Sequence, residues 1–448
     1  MALPNTEDTI VAIATPPGSG AIGVIRLSGP KSLRVADAIF QPTAGGLPSR
    51  LKANRVTYGR IIRDGETYDQ ALLLTFHHPK SYTGQDVVEL HTHGGPAVLR
   101  GVLSLCLKQG ARPAGPGEFT LRAFLSGKID LIQAESVLGL VHAQTDQARR
   151  QASLGLSCIL SGRIDEIQTR LTQVYGDIQA SLDYPEEGVP PAIRDCPLSE
   201  ISATLKELLA TAKAGDLTRR GARLVLVGKP NAGKSSLLNA LLGFDRSIVS
   251  EQPGTTRDYL EAPLDFDGLP VTAIDTAGIR SAGDEVEAVG VAASREIAAA
   301  ADLTLLVLDR SVPVEAGDEL LFEGLLGPAT LIVANKGDLP AAWTALPWTG
   351  TQLTVSAWTG MGLEGLRRAV REVLLGGVSN TELWITVERH RVLLEDVLEL
   401  IHRAREVPDD LAALDLELAL QKLGEMTGRS EVAEETLEYI FSQFCVGK

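Results

Sequence analysis

Residues 224–241 join three unlike segments in a fixed order. An apolar run, Leu224 to Val227, leads into Gly228-Lys229-Pro230-Asn231-Ala232-Gly233-Lys234-Ser235, which leads into Ser236-Leu237-Leu238-Asn239-Ala240-Leu241. That order predicts a strand, a glycine loop and a helix, the phosphate-binding unit of a doubly wound α/β domain. Successive backbone N–H groups of such a loop turn inward around a phosphate, at the positive end of the helix. Asn231, Ala232, Gly233, Lys234, Ser235 and Ser236 are the expected contacts. Lys234 would neutralise the terminal phosphates, and the Ser235 hydroxyl would sit on Mg²⁺.

A phosphate loop does not distinguish adenine from guanine, so the base is decided further along the chain. Asn335-Lys336-Gly337-Asp338 follows the apolar run Leu331 to Ala334. The Asp338 carboxylate can accept both the ring N–H and the exocyclic amine of guanine, a pair that adenine lacks. Ser356-Ala357-Trp358 is placed to meet the guanine carbonyl through backbone. Asp275-Thr276-Ala277-Gly278 follows Val271 to Ile274, where Asp275 would hold the Mg²⁺ shell and the Gly278 N–H would reach the γ-phosphate. Any one of these is an ordinary turn after a strand. Four in register point to GTP.

At 448 residues the chain has room for roughly three domains. The nucleotide module is expected over 217–379. Residues 1–118 mix short apolar runs (Ile10 to Ala14, Ile22 to Leu27, Ala71 to Phe76, Val87 to His91) with proline and glycine turns, and read as an α+β domain. Residues 119–216 and 380–448 read as two halves of one helical domain split by the inserted module. Ile164, Ile167, Leu171, Val174, Ile178 and Leu182 recur at steps of three and four and share one helix face. Helix is expected over Ile201 to Ala212, yielding to the module after Gly215-Asp216, and again over Thr381 to Arg405 and Leu411 to Tyr439.

No apolar run approaches the roughly 18 residues of a membrane span. Cys106, Cys158, Cys196 and Cys445 are too scattered for zinc or a disulfide framework, which with the absence of a secretory pattern at Met1 to Asp8 predicts a cytoplasmic protein. The net charge of −15 argues against a broad electrostatic grip on nucleic acid and leaves that task to local basic patches or to a partner.

Hydrolysis needs a device of its own here. Ile279 stands directly after Asp275-Thr276-Ala277-Gly278, where Ras-like proteins carry a water-orienting glutamine. Glu287, an arginine supplied in trans, or a monovalent cation beside the phosphates are the candidates. Asn231 offers a neutral oxygen suited to such a cation.

The loop with Asn231, the segment Gly254-Thr255-Thr256-Arg257-Asp258, and the ending Phe444-Cys445-Val446-Gly447-Lys448 resemble the MnmE/TrmE family of tRNA-modifying GTPases. So do Gly23-Val24-Ile25-Arg26-Leu27-Ser28-Gly29, the strings from Tyr82-Thr83-Gly84 to Glu89-Leu90-His91, and Pro116-Gly117-Glu118-Phe119-Thr120 with Phe124-Leu125-Ser126-Gly127-Lys128. The resemblance implies an N-terminal domain that binds a tetrahydrofolate derivative, 5-formyl or 5,10-methylene, and forms a homodimer. It implies K⁺-stimulated hydrolysis, with Asn231, Ser250, Gln252 and Thr255 around K⁺, Ser235 and Thr256 on Mg²⁺, and Glu287 orienting the water. It implies folate contacts at Arg26, Glu89, Lys128 and Lys448, and a part for Cys445 in the modification, although Tyr439-Ile440-Phe441 replaces a preceding cysteine sometimes found there. The expected partners are tRNA and an FAD-bearing MnmG/GidA-type protein, the FAD belonging to that partner alone. Together they would add a carboxymethylaminomethyl or aminomethyl group to C5 of the wobble uridine. Two other classes stand beside this one: a ribosome-assembly GTPase, disfavoured by the acidity, and a non-catalytic interaction switch, which K⁺-specific turnover would exclude.

Overall fold

The computed structural model describes residues 6–184, 194–244, 261–275, 300–324, 329–344, 346, 348, 350–378 and 383–448. The first elements are β1 (Ile10–Ile13), β2 (Ile22–Ser28), α1 (Ser32–Ile39), β3 (Phe40–Pro42), a 3₁₀ turn (Pro48–Arg50), β4 (Val56–Arg63), β5 (Glu66–Phe76), β6 (Val87–His93), α2 (Pro96–Lys108), β7 (Arg112–Pro113) and α3 (Glu118–Leu125). Helices α4 (Leu131–His142), α5 (Asp146–Leu156), α6 (Ile159–Asp183), α7 (Asp195–Ala210) and α8 (Ala212–Arg220) follow. Next come β8 (Ala222–Val227), α9 (Lys234–Phe244), β9 (Glu261–Phe266), β10 (Leu269–Asp275), β11 (Leu303–Asp309), α10 (Ala316–Gly324), β12 (Thr330–Asn335), β13 (Gln352–Thr354) and α11 (Leu363–Leu375). Helices α12 (Glu388–Glu406), α13 (Asp409–Thr427) and α14 (Glu434–Ser442) close the chain. These elements form two compact units, Met1–Leu138 with Gly155–Gln179 and Ala413–Lys448, and Gly139–Leu154 with Ala180–Ala412.

In the first unit seven strands run in the order β3-β4-β5-β6-β2-β1-β7, antiparallel except for β1 beside β7. Alternation decides which face is buried. Ile25, Leu27, Ile61, Leu73 and Leu90 point to one face and pack beneath Val35 and Ile39 of α1 and Leu99 and Val102 of α2. The opposite face carries a row set by register: Val56 against Leu74, Leu74 against Glu89, Glu89 against Arg26. Beside that row Val56, Tyr58 and Leu72 remain exposed. In the helices of this unit Ile164, Ile167, Leu171, Val174 and Ile178 of α6 are all buried, each contributing about 2 kcal/mol of transfer free energy.

In the second unit the order is β13-β12-β11-β8-β10-β9, parallel except for β9 beside β10. β8 lies centrally and is covered on both faces, Leu224 and Leu226 in one cluster, Val225 and Val227 in the other. This is the doubly wound sheet that the glycine loop requires.

Four sequence expectations are corrected. Leu182 is exposed, so the apolar stripe of α6 ends at Ile178. Gly215 and Asp216 do not end a helix but lie inside α8, which runs on to Gly221, where φ is +81°. A Cβ on Gly215 would collide with the Ile385 carbonyl, so this glycine serves close approach of a strap, residues 383–387. The same strap is not helical over 383–387, Val387 being extended, and Thr381 lies outside the described residues. Its Trp384 N–H donates to Gln151 Oε1 (3.0 Å) and its Ile385 N–H to Thr211 Oγ1 (3.0 Å), and helix starts only at Glu388. The span Leu411 to Tyr439 is two helices, broken at Gly428 with φ +78°.

Candidate nucleotide site

The loop after β8 turns sharply enough to need two left-handed residues. Asn231 has φ +64°, tolerated by a short amide side chain, and Gly233 has φ +91°. A Cβ at Gly233 would also collide with the Asn335 side-chain nitrogen. Lys234 is buried, and its ammonium donates to the carbonyls of Gly228 (2.7 Å) and Lys229 (2.9 Å) inside the curl of the loop. Ser235 Oγ donates to Asp275 Oδ2 at 2.6 Å, and Asp275 is 1% exposed at the end of β10. A hydroxyl and a carboxylate converging from a helix start and a strand end are hard oxygen donors that fit Mg²⁺.

The segments expected to read the base are tied to this loop through Asn335. Asn335, itself buried, donates from Nδ2 to the Ala232 carbonyl (3.0 Å) and accepts the Ala357 N–H at Oδ1 (3.2 Å). Asp338 Oδ1 accepts the buried Ser356 hydroxyl at 2.5 Å, which fixes the carboxylate. Lys336 (φ +61°) reaches Asp309 Oδ2 at 2.5 Å. Burial opposes the charge on Asp309, but hydrogen bonds from Lys336 and Ser311 outweigh it and hold the carboxyl below its ordinary range. Trp358 is 90% exposed, and its loop is pinned by Thr359 N–H donating to Ser356 Oγ.

Sequence reasoning missed two supports of this site. Lys229 donates to Asp318 Oδ2 (2.8 Å) and Glu315 Oε2 (2.9 Å), anchoring the loop to the start of α10. Burial works against the Lys229 charge, yet those two carboxylates raise its pKa above the ordinary lysine value. Asp309 is the other. Its only signal was an acid closing the apolar run Leu303 to Leu308. Ser250, Gln252, Thr255, Thr256, Thr276, Ala277, Gly278 and Glu287 lie outside the described residues.

The N-terminal candidates gather around the end of the chain. Arg26 Nε donates to Glu89 Oε1 (2.9 Å), its Nη1 to the Gly447 carbonyl (3.1 Å), and its guanidinium lies 5.8 Å from the centre of the Phe119 ring. The tail is held at both sides: Pro116 bridges Val446, and the Phe119 N–H donates to the Lys448 carbonyl at 3.2 Å. Arg26 and Glu89 are thereby brought to the tail at Gly447, Lys448 rests by its carbonyl on Phe119, and the exposed Cys445 accepts the Gly117 N–H at its own carbonyl (3.5 Å). Lys128 lies next to Gly84, and its own N–H donates to the Ala123 carbonyl.

A family model described as the GTP-binding protein TrmE N-terminus matches residues 9–128, and one described as the MnmE helical domain matches residues 131–445. The chain belongs to the MnmE family of tRNA modification GTPases. An MnmE protein of Thermus thermophilus is 50% identical over 446 residues, covering 99% of this chain and 100% of its own. MnmE of Chloroflexus aurantiacus is 44% identical over 456 residues, again covering 99% and 100%. MnmE of Moorella thermoacetica is 41% identical over 461 residues at the same coverage. The matches run through both MnmE flanks as well as the nucleotide module, so the family assignment does not rest on the GTP motifs alone.

Proposed function

We propose that this GTPase is K⁺-stimulated and acts on the wobble uridine of tRNA together with an FAD-bearing MnmG/GidA-type protein. A tetrahydrofolate derivative would supply the one-carbon unit of the aminomethyl or carboxymethylaminomethyl group at C5. The observation that supports the folate half is the seating of the Gly447 carbonyl on Arg26, which is itself paired with Glu89, and of the Lys448 carbonyl on the Phe119 N–H. A carboxylate such as Glu89 can accept the paired donors of a pterin, and Arg26 or Lys128 can pair with the glutamate tail. Cys445, exposed in the same tail, would take part in the modification.

In the nucleotide site Lys234 and the loop N–H groups would bind and orient the phosphates, Ser235 and Asp275 with Thr256 would hold Mg²⁺, and Asp338 would read guanine. K⁺, when bound, would stabilise charge developing between the β- and γ-phosphates, the work an arginine does elsewhere. Asn231 in its left-handed turn offers one oxygen, with Ser250, Gln252 and Thr255 as the other proposed ligands. Glu287 would orient the attacking water. The exposed sheet face at Val56, Tyr58 and Leu72 supports a homodimer through the N-terminal domain.

The deciding experiment is GTP turnover by the purified protein in KCl and in NaCl, with a parallel search for retained 5-formyltetrahydrofolate. Faster turnover in KCl and bound folate are expected. Equal rates and no folate would leave a GTPase without the family chemistry.

A further inference from the structure

Cations are unevenly placed in this acidic chain. Between Lys31 and Arg63 stand seven Lys and Arg residues and one acid, Asp37, a net +6 within a protein whose total is −15. The fold draws five of them into one corner. Lys31 and Arg34 lie three residues apart at the start of α1, and Asp37, one further step along that stripe, accepts the Ser49 N–H at 2.8 Å. The 3₁₀ turn therefore packs on α1, and Arg50 follows it at once. From there the chain runs back past Lys52 to Asn54, whose N–H donates to the Thr75 carbonyl (2.8 Å). Thr75 pairs with Val88, at the end of the sheet where β2 leaves for α1. Arg55 consequently returns to the same end of the sheet as Lys31 and Arg34.

Lys31, Arg34, Arg50, Lys52 and Arg55 are all exposed, and among the described residues none is in an ion pair. The one acid in that stretch of sequence, Asp37, accepts a backbone N–H. A protein of net charge −15 repels polyanions overall, so a local group of five exposed cations without ion-pair partners is where one could be held. It also lies on the helical side of the sheet, away from the exposed face at Tyr58 and Leu72.

We propose that Lys31, Arg34, Arg50, Lys52 and Arg55 form a docking surface for the phosphate backbone of RNA. It rests on the reading of tRNA as the substrate, and it gives this chain its own share of tRNA binding. Contacts of this kind fix position and carry no base sequence.

The test is tRNA binding by the full chain, followed by fluorescence anisotropy across a salt series, with GTP turnover recorded on the same samples. The triple variant R34Q/R50Q/K52Q is compared with R150Q/R163Q/R368Q, which neutralises three exposed cations elsewhere. The first should weaken binding by about tenfold and flatten the log–log salt slope by about one unit per lost contact, with GTP turnover unchanged. The second should leave both nearly unaltered. Equal losses in the two variants, or none in the first, would overturn the proposal. So would loss of binding to the MnmG-type protein with tRNA affinity intact, which would assign the surface to a protein partner. A wild-type chain that binds no tRNA would sink the surface while leaving the K⁺ and folate results standing.

Discussion

At the scale of single residues, the nucleotide site is a set of short tethers, and each makes a separate claim. Asp338 is held by Ser356 at 2.5 Å, and in the proposed function its carboxylate would offer two acceptors to guanine. Asp338→Asn replaces one acceptor by a donor and should cost on the order of 10²-fold in GTP affinity, with xanthosine triphosphate partly recovering it, since xanthine has a carbonyl where guanine has its amine. Competition binding with both nucleotides checks this, and undiminished GTP affinity would remove Asp338 from base reading. Gly233→Ala tests the other end. At φ +91° a methyl group is strained, and here it would also meet the Asn335 side chain, the link between phosphate loop and base loop. The variant should lose nucleotide binding while its circular dichroism stays native. Asp338 and Lys234 were legible in the sequence because their neighbours are contiguous. Lys229 with Asp318, and Lys336 with Asp309, were not, because those partners come from α10 and from the end of β11, far off in sequence.

At the scale of elements, legibility follows how local the cause is. The stripe of α6 was readable as far as Ile178 because helical period alone produced it. The strap at 383–387 was not, since its non-helical backbone is imposed by Gln151 and Thr211, residues far away in sequence. Helix α3 shows the same kind of remote cause in its charges. Buried Arg122 donates to Glu118 Oε1 (2.9 Å) and to Asp8 Oδ1 (2.5 Å), and Arg112 donates to both acids too, so the helix is pinned to the chain segment entering β1. Burial raises the pKa of both carboxyls, but the two arginines outweigh it and hold each below its ordinary value, 4.5 for Glu118 and 3.8 for Asp8. Depressed folded values mean that the stabilisation is complete above the unfolded values. It drains away as pH falls through about 4.5 and 3.8 toward the folded ones. Thermal melts should therefore lose stability steeply below about pH 4.5, and Glu118→Gln should lower stability at pH 7 by about 3 kcal/mol while making that acid limb shallower. An acid limb unchanged in the variant would place the titration elsewhere.

At the scale of the whole molecule, the first and last segments of the sequence build one cluster. Gly447 is the residue that permits it. Its φ is +103°, and a Cβ there would sit too near the Ile13 carbonyl, so any larger residue must lift the tail from β1. Lifting it removes the Gly447 carbonyl from Arg26 and the Lys448 carbonyl from the Phe119 N–H. The nucleotide site, built from β8, β10, β12 and the loops after them, uses none of those atoms. Gly447→Ala should accordingly lower affinity for 5-formyltetrahydrofolate by about tenfold or more, with GTP affinity and K⁺-stimulated turnover unchanged. Removal of residues 445–448 should do the same more severely. Calorimetric titration of both ligands separates the outcomes. Folate affinity that survives both changes would show that the tail rests on Arg26 for structural reasons alone, and the pterin would then have to be sought around Glu89 and Lys128 without it. The string Phe444 to Lys448 is legible as a family resemblance but not as a site, because nothing in its composition says that it returns to Arg26, 421 positions earlier.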